Sequence, residues 1–183
     1  MKGIIFTELV YFVERHTSTV VSEQIINQAD LDTKGAFTSV GNYPHDEALK
    51  LVSSAASILE TPPEDLMRQF GGELFEHLIA SHPEFLPEHV DDAFSFLSVV
   101  QSHIHTEVKK LYPESSPPNV STVVENGKMI VTYDSHRPFA MIAMGLIEGC
   151  CAYFDESLTV VTDSDLGATD SSATFIISAN GPL

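Results

Sequence analysis

Two short stretches carry side chains whose types and spacing could do chemistry together. The first is Gln101-Ser102-His103-Ile104-His105-Thr106-Glu107-Val108-Lys109-Lys110-Leu111-Tyr112-Pro113. Neutral imidazole is a common metal ligand, but at roughly 100° per residue a His-x-His pair on a helix points its rings apart. Such a pair cannot chelate one metal, whereas histidines four apart could. If His103 or His105 holds a cofactor, it holds it alone. The second stretch is Tyr133-Asp134-Ser135-His136-Arg137. In an extended chain Tyr133, Ser135 and Arg137 project to one side. Two hydroxyl donors and a guanidinium fork form a receptor for a carboxylate or a phosphate; the other reading is a polar, solvated strand end. The two cysteines, Cys150 and Cys151, are adjacent, which suits neither a disulfide framework nor a thiolate metal site. A hydrolase using His105 or His136 as base would need a nucleophile elbow, a phosphate loop or a chelating motif, and the sequence offers none. The expectation is a binding protein, not an enzyme.

The elements that must position these groups follow from periodicity. Leu97, Val100, Ile104, Val108 and Leu111 form one apolar stripe, predicting a helix from about Val90 to Tyr112 that Pro113 ends. His105 lies to one side of that stripe with Phe94, Gln101 and Tyr112; His103 lies to the other with Phe96, Val99 and Glu107. Periodicity does not choose between them, and both can be ordinary helix-flank residues. The Tyr-x-Ser-x-Arg stretch continues a strand, Met129 to Thr132, that pairs with Val120 to Val124 across an Asn126-Gly127 turn. Pro138 stops it.

Upstream, helical spacing predicts short helices over residues 2–15 and 17–27, a loop over Gly35 to Tyr43, and a helix from Pro44 to Leu59 with acidic residues in its first turn. Thr61-Pro62-Pro63-Glu64 reads as the next helix start, with Thr61 capping, Pro62 in the first helical position and Glu64 completing a capping box. That helix holds Leu66, Met67, Phe70, Leu74, Phe75 and Leu78, and also Gly71-Gly72. Two glycines inside a helix cost about 1 kcal/mol each against alanine. Close approach of something flat or bulky explains them, and so does a tightly packed neighbouring helix. Ser81 to Pro87 reads as a loop. Phe139 to Phe154 is an apolar helix, and Leu158 to Thr162 and Ala173 to Ser178 are further strands. The fold class expected is α+β: a helical half, then a half with a small antiparallel sheet and long helices.

The chain has 183 residues, 43% of them hydrophobic, enough for a substantial core in one domain or two tightly joined halves. With 9 Lys and Arg against 26 Asp and Glu, its net charge of −17 opposes nucleic acid and anionic lipid surfaces. Met1 to Phe6 starts like a signal peptide, but Glu8 and Glu14 interrupt the apolar run. No stretch is long and apolar enough to span a membrane, and a reducing, cytoplasmic setting is expected.

Together these landmarks resemble the H-NOX family, the haem nitric oxide/oxygen binding domains related to the sensor domain of soluble guanylate cyclase. The resemblance rests on the opening Met1-Lys2-Gly3-Ile4-Ile5-Phe6, the Phe70-Gly71 pair, His105-x-x-Val108-x-x-Leu111-Tyr112-Pro113, Pro117-Pro118, Tyr133-x-Ser135-x-Arg137 and Gly145-Leu146-Ile147-Glu148-Gly149. These occur in the family's order and cover nearly the whole chain.

The resemblance implies haem b (iron protoporphyrin IX) held between a helical distal subdomain, about 1–60, and a proximal subdomain, about 61–183. It matches His105, not His103, to the iron ligand. Tyr133, Ser135 and Arg137 would hold the propionates, Pro117 would press on the macrocycle, and Ile5 and Gly71 would touch it. Oxygen-binding members carry a distal tyrosine where this chain has Ile142, beside Leu146, Leu74 and Leu78. The implied pocket is apolar, which suits nitric oxide and carbon monoxide and excludes dioxygen, whose bound form needs a hydrogen-bond donor. The cysteine-rich zinc site of some relatives is not supported by two cysteines. The implied output is release of His105, read by a separate signalling protein such as a histidine kinase or a cyclic-dinucleotide enzyme. The alternative is a haem-free regulatory or scaffold domain of the same fold, binding its partner through an acidic surface.

Overall fold

The computed structural model describes residues 1–179, with the side chain of Leu111, expected in the apolar stripe, outside that description. A run of helices comes first and a four-stranded sheet follows, with one more helix between its second and third strands, the α+β arrangement expected. Helix α1 (Gly3–His16) is followed by α2 (Thr19–Gln28), opened by Ser18, whose hydroxyl oxygen accepts the Val21 amide. Helix α3 (His45–Leu59) has Asp46 and Glu47 in its first turn.

The capping box expected at Thr61 and Glu64 does not form. Helix α4 (Pro63–Ser81) is capped by Pro62 with no side-chain hydrogen bond. Thr61 serves the preceding helix instead: its amide bonds the Ala56 carbonyl and its hydroxyl the Leu59 carbonyl, after Glu60 turns the chain through a left-handed conformation (φ 51°). Two prolines in succession pre-set the start of α4 and have no N–H to cap.

The histidine stretch is not one regular helix. Asp92 and Ser95 form a capping box that starts α5 (Ala93–Val99) three residues later than the apolar pattern suggested. A π-helical turn spans Val100–Ile104, and α6 runs His105–Leu111. His105 itself closes the wide turn, donating its amide to the Val100 carbonyl five residues back.

The sheet comprises β1 (Asn119–Glu125), β2 (Lys128–Asp134), β3 (Leu158–Thr162) and β4 (Ser172–Ala179), antiparallel in the order β1-β2-β4-β3. Asn126 (φ 52°) and Gly127 (φ 73°) make the two-residue turn joining β1 to β2. Met129, Val131, Tyr133, Phe175 and Ile177 alternate onto the buried face.

Helix α7 (Ala140–Tyr153) packs along α4 at backbone contact. A methyl group built on Gly71 would overlap the Ile142 carbonyl oxygen, and one on Gly149 would sit 2.6 Å from the Gly72 carbonyl oxygen. The glycine pair is therefore explained by a neighbouring helix. Cys150 and Cys151 are buried free thiols on α7, and burial pushes the Cys151 thiol up to about 11 and Cys150 further. Among the described residues, no helix is long and apolar enough to cross a membrane.

Candidate cofactor pocket

A cavity of about 380 Å³ opens where α1, α4, α7, the histidine stretch and the sheet converge. Its size falls in the range of roughly 300–1,000 Å³ usual for cofactor and small-ligand sites. One wall is apolar: Ile5 comes from α1, Leu74 and Leu78 from α4, and Ile142 and Leu146 from α7. No side chain among these five offers a hydrogen-bond donor. Val100, Ile104, His105, Val108 and, beyond α6, Pro117 line the cavity as well.

The π-turn decides which histidine faces the cavity. One extra residue in a turn rotates everything after it by about 100° relative to an uninterrupted α-helix. The simple wheel, with His105 well off the apolar stripe, does not hold across Val100–Ile104, and His105 lines the cavity beside Ile104 and Val108. His103 turns away and donates Nε2–H to the Glu84 carbonyl at 3.1 Å. Desolvation, with Lys109 nearby, lowers the His105 pKa from 6.5 to about 4, so its ring is neutral at pH 7.

Sequence reasoning placed Gln101 beside His105 but gave it no role. The Gln101 Oε1 lies 3.1 Å from His105 Nδ1 and 3.1 Å from the Val120 amide nitrogen at the start of β1. A backbone N–H only donates, so the Gln101 atom is the carbonyl oxygen; that oxygen only accepts, so His105 Nδ1 carries the proton. The lone pair then sits on Nε2, the ring atom left for the cavity. The signal was present as a Gln-x-x-x-His spacing on one helix.

Tyr133, Ser135 and Arg137 reach the same cavity, although strand alternation accounts for only part of this. Strand β2 stops at Asp134, and Arg137 is placed by a tight turn in which its amide donates to the Ser135 hydroxyl oxygen at 3.1 Å. The Ser135 and Tyr133 side chains are hydrogen-bonded. Burial raises the Tyr133 pKa above its ordinary value of 10.0, so it stays a phenol and a donor. The Arg137 Nη1 also donates to the Ser116 carbonyl at 2.8 Å, tying the loop before β1 to the motif. On that loop Ser115 is part of the cavity lining, and its hydroxyl is buried with no hydrogen-bond partner. Such an orphaned group asks for a ligand acceptor, and nothing in the sequence singled it out.

Gly71 is the exception among the residues expected at the site. It does not line the cavity; its Cα faces the backbone of α7, where Ile142, Gly145 and Leu146 leave no room for even a methyl group. Among the described residues there is no cluster of three or more His, Cys, Asp and Glu side chains able to hold a metal. Any metal here must arrive with most of its ligands already supplied, and a flat iron macrocycle with carboxylate arms does so. The chemistry present fits it: the His105 imidazole, an apolar chamber, and donors at Tyr133, Ser135 and Arg137, while His82, also on the lining, is engaged through Nδ1 by Glu84 at 3.0 Å.

The comparisons agree. No curated protein gives a significant match, but the haem-NO-binding family profile matches residues 2–162. The Fe(II) unliganded H-NOX protein from K. algicida superimposes with a TM-score of 0.89 at 28% identity, over 100% of this chain and 98% of that one. An H-NOX protein from S. oneidensis in the Fe(II)NO ligation state gives 0.88 at 26% identity, over 99% and 100%. The IWP-051-bound H-NOX from Shewanella woodyi in the Fe(II)CO state gives 0.80 at 34% identity, over 98% and 94%. With the profile running from the first turn of α1 to the end of β3, and whole relatives superimposing on the rest, this chain belongs to the haem-NO-binding family, the H-NOX proteins.

Proposed function

We propose that the chain is a nitric oxide sensor that holds haem b through His105 alone, rejects dioxygen, and signals by letting His105 go. One observation carries this reading: the neutral His105 imidazole lines a chamber whose apolar residues, Ile5, Leu74, Leu78, Ile142 and Leu146, carry no hydrogen-bond donor. Haem, when bound, supplies a ferrous iron whose open side accepts a diatomic gas. Everything else is done by the chain. His105 offers Nε2 as the one protein ligand. Tyr133, Ser135 and Arg137 hold the propionates, with the Ser115 hydroxyl as a further donor, and Pro117 bears on the macrocycle.

The apolar wall sets selectivity. Bound dioxygen gathers negative charge and needs a donor, whereas nitric oxide and carbon monoxide need one much less. Relatives in Fe(II)NO and Fe(II)CO states accord with that choice. His105 sets the output. While tethered it fixes the position of α6; once released, α6 and the adjoining loop are free to move, and a distal lobe of about 1–60 shifts against the remainder of the domain. A separate signalling protein, a histidine kinase or a cyclic-dinucleotide enzyme, reads that two-state change in the cytoplasm.

The test uses haem-loaded protein. The ferrous wild type should show a Soret band, no stable oxy complex in air, and conversion by nitric oxide to a species lacking the histidine bond. His105→Gly should retain haem only with added imidazole, and His103→Ala should keep a normal ferrous spectrum. A partner assay such as kinase autophosphorylation should respond to nitric oxide in the wild type and not in the imidazole-rescued variant. No Soret band in protein made with haem available would overturn the reading in favour of a haem-free regulatory domain.

A further inference from the structure

We propose that Gln101 is the positioning residue that sets the His105 ring with Nε2 toward the cavity and couples that ring to the start of β1. The inference rests on His105 being the tether, and it adds a residue that the Tyr-x-Ser-x-Arg and histidine landmarks do not include.

Geometry carries it. One oxygen, Gln101 Oε1, accepts at 3.1 Å from His105 Nδ1 and at 3.1 Å from the Val120 amide. Gln101 is part of the π-turn, and His105 closes that turn through the Val100 carbonyl. The wide turn thus places acceptor and ring four residues apart on one side of the helix, and a strand on the other side of the acceptor. A histidine ligand that donates its second N–H to a carbonyl is held in one tautomer and one orientation, and becomes a more basic ligand. Sharing the oxygen with Val120 moderates that effect, because two donors divide one acceptor. The same sharing makes the strand sensitive to the ring: when His105 is released, the Val120 N–H becomes the principal donor to Gln101. Edge strand β1 therefore receives the event that occurs at the ring.

Gln101→Leu removes the acceptor at similar size, and Gln101→Glu replaces it with a stronger one. Two measurements separate this proposal from the reading beneath it. In haem-free protein, nitrogen-15 NMR of the His105 ring should show the Nδ1–H tautomer in the wild type. Gln101→Leu should shift the tautomer ratio by about 2- to 10-fold toward Nε2–H, the span one ordinary hydrogen bond supports. In ferrous haem-loaded protein, the iron–histidine stretch in resonance Raman spectra should rise in Gln101→Glu and fall in Gln101→Leu. The Val120 amide resonance should move on nitric oxide addition in the wild type and stay in place in Gln101→Leu. If Gln101→Leu folds poorly, the rise in Gln101→Glu still decides. An unchanged tautomer and an unchanged stretch in both variants would overturn the role of Gln101 while leaving His105 as the tether. Absence of an iron–histidine stretch in the wild type would overturn the tether, and the proposal with it, even though the haem-free NMR would still report the hydrogen bond.

Discussion

Gly71 and Gly145 meet backbone to backbone where α4 crosses α7: a methyl group built on Gly145 would lie 2.9 Å from the Gly71 Cα and overlap the Arg68 carbonyl oxygen. This seam sets the spacing between Leu74 and Leu78 on one helix and Ile142 and Leu146 on the other, so it shapes the apolar wall without touching the cavity.

Gly145→Ala should therefore destabilise the protein through overpacking, by about 1–3 kcal/mol. Gly127→Ala is a different case, since its turn position (φ 73°) leaves open space around it and the cost there is only conformational. Denaturant midpoints of the haem-free variants should show the larger loss at Gly145. Equal losses would mean that the helices separate easily and that the seam does not constrain the wall.

Removing the guanidinium strands the carboxylates it is proposed to hold. Arg137 is only partly buried, so solvent screening holds the cost below the roughly 2–5 kcal/mol of a desolvated pair, and Arg137→Ala should accelerate haem transfer to an apo-globin acceptor. Ser115→Ala should do so more mildly, as it removes one uncharged donor. Because Arg137 also holds the Ser116 carbonyl, Arg137→Lys separates charge from the fork. Full haem retention in Arg137→Ala would leave the triplet as a solvated strand end.

Ligand choice should respond to a single donor on the apolar wall. Ile142→Tyr, placing a hydroxyl among the apolar lining residues, should add a hydrogen bond of about 0.5–1.5 kcal/mol to bound dioxygen. Nitric oxide binding should persist. Oxygen titration of the ferrous variant by absorption spectroscopy measures this, and an oxy complex in the wild type itself would contradict the selectivity argument.

The haem-free protein should weaken in mild acid through His105. Its folded pKa is lowered from 6.5 to about 4. As pH falls through that window the unfolded chain takes up the proton first, so stability drops between pH 6.5 and 4 and loses nothing further from this group below that. His105→Gln removes the contribution. The stability of the wild type relative to that variant should decline across the window in paired denaturation curves, and a constant difference would show that the ring is not desolvated.

Local chemistry made most of the fold legible. Residues 3–16 and 45–59 are helical because apolar residues recur at helical spacing, and 140–153 because its nearly unbroken apolar run is too long for a strand. The Asn126-Gly127 turn forms because both positions need positive φ, and β3 and β4 fall where β-branched runs stand between polar loops. Those patterns are properties of neighbouring residues, so one chain suffices to read them. Every residue that motif order singled out for the pocket except Gly71 lines one cavity.

What needed tertiary structure was everything set by a distant partner. Gly71 reads alike whether it admits a flat cofactor or another helix, and only the position of α7 answers that. Thr61 is a local exception: its neighbours Ala56 and Leu59, at the end of the preceding helix, compete for it with the helix that follows. The phase of His105 is not a property of the helical period, because a π-turn inserts a step that no apolar spacing records. Gln101 gains a role only when Val120, 19 positions away, folds back to share its oxygen. Periodicity reports which face of an element is dry; which atom meets which across the core depends on packing that the local sequence does not encode.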